Sequence, residues 1–503
     1  MPAILTSAAP PDGVACALAR ARLGVAPLVT TVMAAAAPLT VVAGGASAGF
    51  AVTGSTGIPL AYLVVAAILA IFAVGYTAMA RQIVNAGSFY SYIAYGLGRL
   101  WGIMSAFVAV TAYAVMMVGL YGGFGVVAAA FAKTQAGVNL PWSVWAMLVW
   151  AVIAGLGGRR IDLNSRILAV LLIAEVALAI GLAAVHVTHP GGGTVTYTTL
   201  SPIALFGSWA GAGAALVTGI AGFVGFEATT VYGEEARDPQ RTVPRSTYLA
   251  LAVIGVLYAG CAWAMSVATG PQHIVARATT DGSELIFTLA APHVPGFIIV
   301  LGHLLFITSL FAATLAFHNT GARYLFALGR ESVLPRILGS TSPRTKAPLA
   351  GSLIQTGIGL AGITVYAIGG WDPFTRMFFW LTVLGGLGVL FLMTATSLAV
   401  MAYFSPRLRR RHGIGVLRGV ICPAIATLLL GTVAVVTLSQ FATLLGVEPA
   451  SSVRWQLPTI YAAVACLGVI WGCGLRVWRR DVYAQVGRGA TRTATPTGNG
   501  VAR

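Results

Sequence analysis

Glu227 lies in the middle of an apolar run, two residues after Gly225 and five after Gly222, in the segment GIAGFVGFEATTVYGEEARDPQRTVPRS (residues 219–246). An ionised side chain at that depth in a bilayer costs about 2.5–3.5 kcal/mol on insertion scales, so an intramembrane carboxylate points to an ion or substrate pathway. Glycines beside it let the backbone leave the helix, and unwound backbone at membrane depth is tolerated where it lines a cavity. The chemistry expected here is binding and coupling. Phe223, Val224 and Gly225 offer backbone and an aromatic cover to a small substrate, and Glu227 acts in coupling or gating; the plainer role for Glu227 is a structural hydrogen bond between helices. Glu175, the only other carboxylate deep in an apolar run, is the second coupling candidate, or else pairs with a polar group on a neighbouring helix. The segment ends in Glu234, Glu235 and Arg241, with prolines at 239 and 244. Mixed acids and arginines held by prolines read as a latch of ion pairs with Arg159, Arg160 or Arg323, rather than as solvated anchors. Exposed pairs are each worth about 0–1 kcal/mol, which suits a latch that must open.

A second broken run precedes it, LVTTVMAAAAPLTVVAGGASAGF (residues 28–50). Pro38 lacks an amide hydrogen and clashes with the carbonyl four residues back, so a break is expected over Ala36, Ala37, Pro38 and Leu39 rather than at Gly44–Gly45. Each half-helix started by a break exposes unpaired amides that favour an anion such as a carboxylate. Corresponding interruptions in the first and sixth runs suggest an inverted repeat with its site between them. Other polar residues have plainer readings. His303 and His318 are expected to be packing residues. Thr308, Ser309 and Thr314 are expected to return hydrogen bonds to their own helix rather than bind sodium. Tyr113 and Tyr121 are candidates to face the cavity. Gly385, Gly386 and Gly388 are read as close packing or flexure rather than chemistry.

The elements that must position these groups follow from composition. The 503 residues are 58% hydrophobic and 9% charged, which excludes an ordinary soluble protein. Twelve spans are expected, at about 27–52, 58–80, 100–131, 141–157, 166–188, 208–233, 246–269, 295–328, 347–368, 374–404, 418–441 and 456–477. With both termini in the cytoplasm, 26 of the 30 basic residues fall in cytoplasmic segments, leaving only Lys133, Arg277, Arg376 and Arg454 elsewhere. This positive-inside bias accounts for the net charge of +17 without a nucleic-acid partner. The five cysteines are scattered and show no metal-ligand or disulfide spacing, so neither a metal nor a cofactor is expected. Residues 1–26 are read as a cytoplasmic arm, 27–404 as the transport core, 405–481 as two further helices and 482–503 as a disordered cytoplasmic tail.

Four segments resemble the amino acid–polyamine–organocation (APC) superfamily of permeases. Residues 85–92, NAGSFYSY, followed by Tyr95-Gly96-Leu97-Gly98, are similar to its PGGSYxY…G segment, with Asn85 in place of the usual proline. Phe223 to Glu227 resembles its FxGFE core, and Glu234-Glu235…Pro239-x-Arg241-x-x-Pro244 resembles the loop that follows. The stretch GARYLFALGRESVLPR (residues 321–336) is also similar. The resemblance implies an all-α membrane protein of LeuT type: a five-plus-five inverted repeat with helices 1 and 6 discontinuous, plus two peripheral helices. It implies that the breaks hold a substrate's carboxylate and amino group. Two departures matter. Ala221 stands where arginine-handling relatives carry a gating tryptophan, and the fifth span has no interior lysine of the kind some proton-coupled relatives use.

The function expected is secondary active transport of an amino acid or related amine by alternating access, with protons favoured over sodium as the coupling ion. The location expected is a bacterial inner membrane, the lipid bilayer being the only other partner. A transporter-like sensor or partner subunit is the alternative. An intramembrane enzyme is disfavoured, because HExxH is absent and the histidines are dispersed. No nucleotide-binding GxxxxGK(S/T) loop is present.

Overall fold

The computed structural model describes Leu18, residues 21–159 and residues 161–489. Most of the expected N-terminal arm, Arg160 and residues 490–503 lie outside the described residues. Eleven helices there are long and apolar enough to cross a membrane. With the shorter apolar helix Trp142–Gly157 as α4, they are α1 (Val25–Thr53), α2 (Ile58–Ala80), α3 (Arg99–Ala136), α5 (Ile161–Thr188), α6 (Gly211–Val231), α7 (Pro239–Thr269), α8 (Gly296–Arg330), α9 (Leu349–Ile368), α10 (Pro373–Tyr403), α11 (Leu417–Ser439) and α12 (Val453–Trp478). The fourth expected span is therefore an apolar helix of only 16 residues, about 24 Å long at 1.5 Å per residue.

Ala, Val, Leu and Gly dominate these runs, and the backbone has no alternative to internal hydrogen bonding in a hydrocarbon solvent. The 38-residue α3 is the central strut, packing on α4, α8, α10 and α12, while α2 packs on α7 and α11. Small residues set the close approaches. A Cβ on Gly385 would sit 2.2 Å from Met116 of α3, and one on Gly388 would sit 2.4 Å from the Tyr461 hydroxyl of α12. These two positions are packing glycines, as read from the sequence.

Two of the spans are not continuous. In α1 the helix Val25–Ala35 stops, Ala37 takes φ 46°, and the chain restarts at Pro38 before a π-helical stretch, Val41–Ala46. The break thus falls at Ala36–Ala37, just before the proline that removes the amide; Gly44 and Gly45 lie within the π-helical stretch instead. In α6 the helix ends at Phe223, Val224 is extended with ψ 128°, Gly225 takes φ 121°, and helix resumes at Ala228.

One end of the bundle gathers residues 81–98, the segment 232–238, residues 330–347 and the segment 480–489. At this arginine-rich end the Arg22 and Leu23 amides donate to the Glu235 carbonyl, and the Arg237 amide donates to that of Leu23. Residues 482–489, expected as part of a disordered tail, are instead seated here, with Val482 and Val486 buried. Apolar anchors and glycine-enabled turns hold a segment whose composition alone reads as a loose end.

Candidate functional site

The two breaks meet. A Cβ built on Gly225 would lie 2.8 Å from the Ala35 Cβ and 3.1 Å from the Ala36 nitrogen, so only glycine lets the α6 turn rest on the α1 turn. Beside this contact lies a cavity of about 420 Å³. It is bounded by Ala35, Ala36 and Ala37 of the first break, by Ala221, Gly222 and Val224 of the second, and by Met116 and Phe317 from α3 and α8. Among its described lining residues none is charged; the polar side chains are hydroxyls such as Thr40, Thr218 and Thr382. The Thr40 hydroxyl has no hydrogen-bond partner among the described residues. The lining also includes Ala278, Thr279, Gly282, Ser283, Leu445 and Gly446, which belong to the end opposite the arginines.

Of the residues expected to bind substrate, Ala36, Ala37 and Val224 line this cavity, whereas Pro38, Leu39, Phe223 and Gly225 shape the turns without lining it. The aromatic-cover expectation for Phe223 is corrected. Its ring is fully buried against Tyr62 and Tyr258, with centroids 6.5 and 5.7 Å away. The last turn before the break points it into the core. The aromatic walls come instead from Phe317 and from Phe374, Phe378 and Phe379 at the start of α10, which sequence reasoning missed. The FTRMFFW run was the available signal.

Each deep carboxylate serves one break. Glu227 is completely buried; its Oε2 accepts from the Gly225 amide at 2.8 Å and its Oε1 from the Tyr113 hydroxyl at 2.9 Å. The carboxyl therefore ties the α6 turn to α3. It lies behind the turn, not in the cavity lining. Glu175 of α5 faces the Leu39 amide and the Ser309 hydroxyl, and the Ser309 Oγ accepts from the Thr40 amide at 3.3 Å. Of the amides expected to be open to a substrate carboxylate, those of Gly225 and Thr40 are thus occupied from within the protein. The Ala36 carbonyl, freed by the other side of the break, accepts from the Tyr258 hydroxyl at 2.8 Å. This follows from the rule that buried backbone polar groups are paired.

The remaining candidates separate cleanly. His318 pairs with Ser352 at 2.8 Å and His303 with Glu284 at 2.6 Å. Thr308 and Thr314 return hydrogen bonds to their own helix, as read from the sequence. The Tyr121 hydroxyl has no hydrogen-bond partner among the described residues, and its ring packs against Gly359.

At the arginine-rich end, Arg323 makes a bidentate pair with Glu235, both contacts at 3.0 Å, and lies 4.4 Å over the Tyr232 ring. Arg330 makes a second bidentate pair with Glu234 at 2.8 and 2.7 Å, and the Ala86 amide donates to the same carboxylate at 2.9 Å. Two corrections follow. Arg241 is 78% exposed and, among the described residues, reaches only Asp238, 3.7 Å away at the N-cap of its own helix, so it is not part of the cluster. Arg159 is exposed at the end of α4 and takes no part either. Both glutamate–arginine pairs are buried, with side chains at most 9% exposed. Breaking a buried pair by removing one partner costs about 3–5 kcal/mol, far above the exposed-pair figure. The loop folds in because it is hydrogen-bonded to Leu23 rather than left in water.

The amino acid permease family model matches residues 28–473. The chain belongs to the amino acid permease family. It is similar to the branched-chain amino acid permease BcaP of Lactococcus lactis subsp. cremoris (strain MG1363), 24% identical over 71% of this chain and 75% of that protein. It is also similar to the methylthioribose transporter of Bacillus subtilis (strain 168), 26% identical over 67% of this chain and 70% of that one. The low-affinity putrescine importer PlaP of Escherichia coli (strain K12) is 23% identical over 48% of this chain and 51% of its own length. This APC permease is a multi-pass membrane protein and not an enzyme.

Proposed function

We propose that the permease is a secondary transporter of zwitterionic amino acids with apolar side chains. The observation that carries this reading is the cavity without charged lining at the meeting of two helix breaks. Its volume is within the range of small-molecule sites. The hydroxyls of Thr40, Thr218 and Thr382 and the carbonyl of Val224 answer the charges of the amino acid group, while Phe317, Met116 and Phe378 accept the side chain. A diamine would bring a second cation into a cavity with no carboxylate lining it, and burying an unpaired charge is costly. The similarity to a protein named for branched-chain amino acids agrees with this.

The arrangement proposed is the five-plus-five inverted repeat, with α1 and α6 as its corresponding broken helices and α11 and α12 peripheral. The arginine-rich end faces the cytoplasm of a bacterial cell, as the positive-inside bias requires. The cavity then opens outward, and the Glu234–Arg330 and Glu235–Arg323 pairs form the closed inner gate of an alternating-access cycle. Coupling runs through Glu227, with protons favoured over sodium and Glu175 as the second candidate. As a carboxylate Glu227 accepts from both Gly225 and Tyr113. A proton turns one oxygen into a donor, which the Tyr113 hydroxyl can accept and the Gly225 amide cannot. Oε2 still accepts from the Gly225 amide, so protonation keeps both contacts but removes their charge assistance, which weakens the tie between the α6 turn and α3.

The test is uptake by purified permease in liposomes, against a labelled panel, with proton and sodium gradients imposed separately. Leucine-like substrates are expected to accumulate under an inward proton gradient. Uptake confined to diamines or cationic amino acids would overturn the substrate class.

Orientation has its own test. Reporter fusions at Lys133, Pro190, Arg277, Asp372 and Pro449 are expected to report the outside, and fusions at Arg159, Asp238, Arg344 and Arg410 the cytoplasm. Two adjacent loops on one side would break the twelve-span arrangement, the short α4 being the place to look first.

A further inference from the structure

Glu331, the residue after α8, is almost fully buried and has nothing to do with the cavity. Its carboxylate is held by four donors. Oε2 accepts from the Tyr90 hydroxyl and from the Gly487 amide at 2.6 Å; Oε1 accepts from the Gly489 amide at 2.8 Å and from Asn85 Nδ2 at 3.0 Å. Two of the four come from the chain's own C-terminal segment. Gly487 and Gly489 take φ 84° and 56°, so the turn Gly487–Arg488–Gly489 aims its two flanking amides at one anion, a backbone nest. Side chains are excluded there as well as disfavoured: a Cβ on Gly489 would sit 2.7 Å from the Asn85 amide nitrogen, and one on Gly487 would sit 3.0 Å from the Ala94 Cβ. Val482 and Val486 anchor the same segment. Burial pushes the Glu331 carboxyl above its ordinary range, and the four donors pull against that.

The nest and the gate are built on adjacent residues. Arg330 holds Glu234, and the next residue, Glu331, holds the tail. The Ala86 amide holds Glu234, and the preceding residue, Asn85, holds Glu331. Asn85 also donates to the Gly487 carbonyl at 3.3 Å. Withdrawing Glu234 from Arg330 and Ala86 therefore disturbs the two residues that clasp the tail.

We propose that residues 480–489 form a detachable strap, the third part of the inner gate, whose release from Glu331 accompanies opening at the arginine-rich end. This rests on the alternating-access reading above. The docking surface is made by Asn85, Tyr90, Ala94 and Glu331, and its occupant is the permease's own C-terminal segment. A strap of this kind sets how often the gate opens without touching the substrate.

The test uses the full-length permease with its five native cysteines replaced by alanine and Val486→Cys introduced. A membrane-impermeant maleimide is applied to the arginine-rich face in inside-out vesicles. Labelling is expected to be slow at rest and to accelerate about tenfold or more with transported substrate. Gly489→Ala is expected to accelerate resting labelling by a similar factor, since loss of one hydrogen bond to a charged group corresponds to about a factor of ten or more. Truncation after Arg479 is expected to raise the initial rate of uptake or exchange. Gly489→Ala retains the strap and serves if the truncated chain does not fold. Fast labelling at rest, or labelling and transport rates indifferent to substrate, Gly489→Ala and truncation, would overturn the strap. Failure of every panel substrate to move would instead sink the transport reading, and resting labelling of the full-length and Gly489→Ala proteins would still report whether the strap docks on Glu331.

Discussion

Gly225→Leu is expected to abolish substrate binding while leaving folded permease in the membrane. Two separate costs fall on this position. Its φ of 121° lies where a side chain strains the backbone by about 1–3 kcal/mol. A Cβ there would also stand 2.8 Å from the Ala35 Cβ and 3.1 Å from both the Ala35 carbonyl carbon and the Ala36 nitrogen. Overpacking of that kind costs about 1–3 kcal/mol more. The first clash is with the other break, so relief comes by moving Ala35–Ala37 or Val224, the backbone that bounds the cavity. A loss of about 3 kcal/mol in the binding-competent arrangement is on the order of 100-fold in affinity. Gly225→Ala, with the strain but less bulk, should fall between the two. Binding measured on purified protein decides it: wild-type affinity in Gly225→Leu would place the substrate away from the breaks.

Glu227→Gln is expected to keep binding and lose gradient-driven accumulation. The amide can place its oxygen on the Gly225 amide and its nitrogen on the Tyr113 hydroxyl, so both contacts at 2.8 and 2.9 Å survive in kind. A neutral hydrogen bond in place of a charge-assisted one changes stability by about 1 kcal/mol, too little to unfold the protein. What the amide cannot do is exchange a proton. Substrate exchange without a gradient should therefore persist, uptake against a concentration difference should fall to the level of passive equilibration, and the pH dependence of uptake should flatten. A mutant that accumulates substrate with the wild-type pH profile would make Glu227 a structural tie between α6 and α3. Glu175, against Leu39 and Ser309 at the other break, would then carry the coupling proposal.

Much of this architecture was legible in the chain. The α1 break followed from a single proline, because a missing amide and a ring clash act locally and need no partner. The α6 break followed from Gly225 two residues before a carboxylate. The arginine distribution gave the end at which loops and termini gather. What was misjudged depended on direction. Phe223 was expected to cover the cavity, but its last helical turn aims it at Tyr62 and Tyr258. Arg241 matched a familiar spacing and yet points to solvent, while Arg330, inside the GARYLFALGRESVLPR stretch but not assigned to the latch, pairs with Glu234.

The sequence by itself determined that this is a helical membrane protein, where its first and sixth spans break, and which acids lie too deep for a lipid-facing helix to tolerate. Those properties arise from hydropathy, from proline and glycine, and from the desolvation of charge, all of which act within a few residues. Only the tertiary structure decided which atoms meet. It set Gly225 on Ala35, gave the Gly225 amide to Glu227 and the Thr40 amide to Ser309, removed charge from the cavity wall, and wound Gly487 and Gly489 around a glutamate 156 and 158 residues away. Such pairings depend on how helices rotate and cross in packing, which no local spacing records.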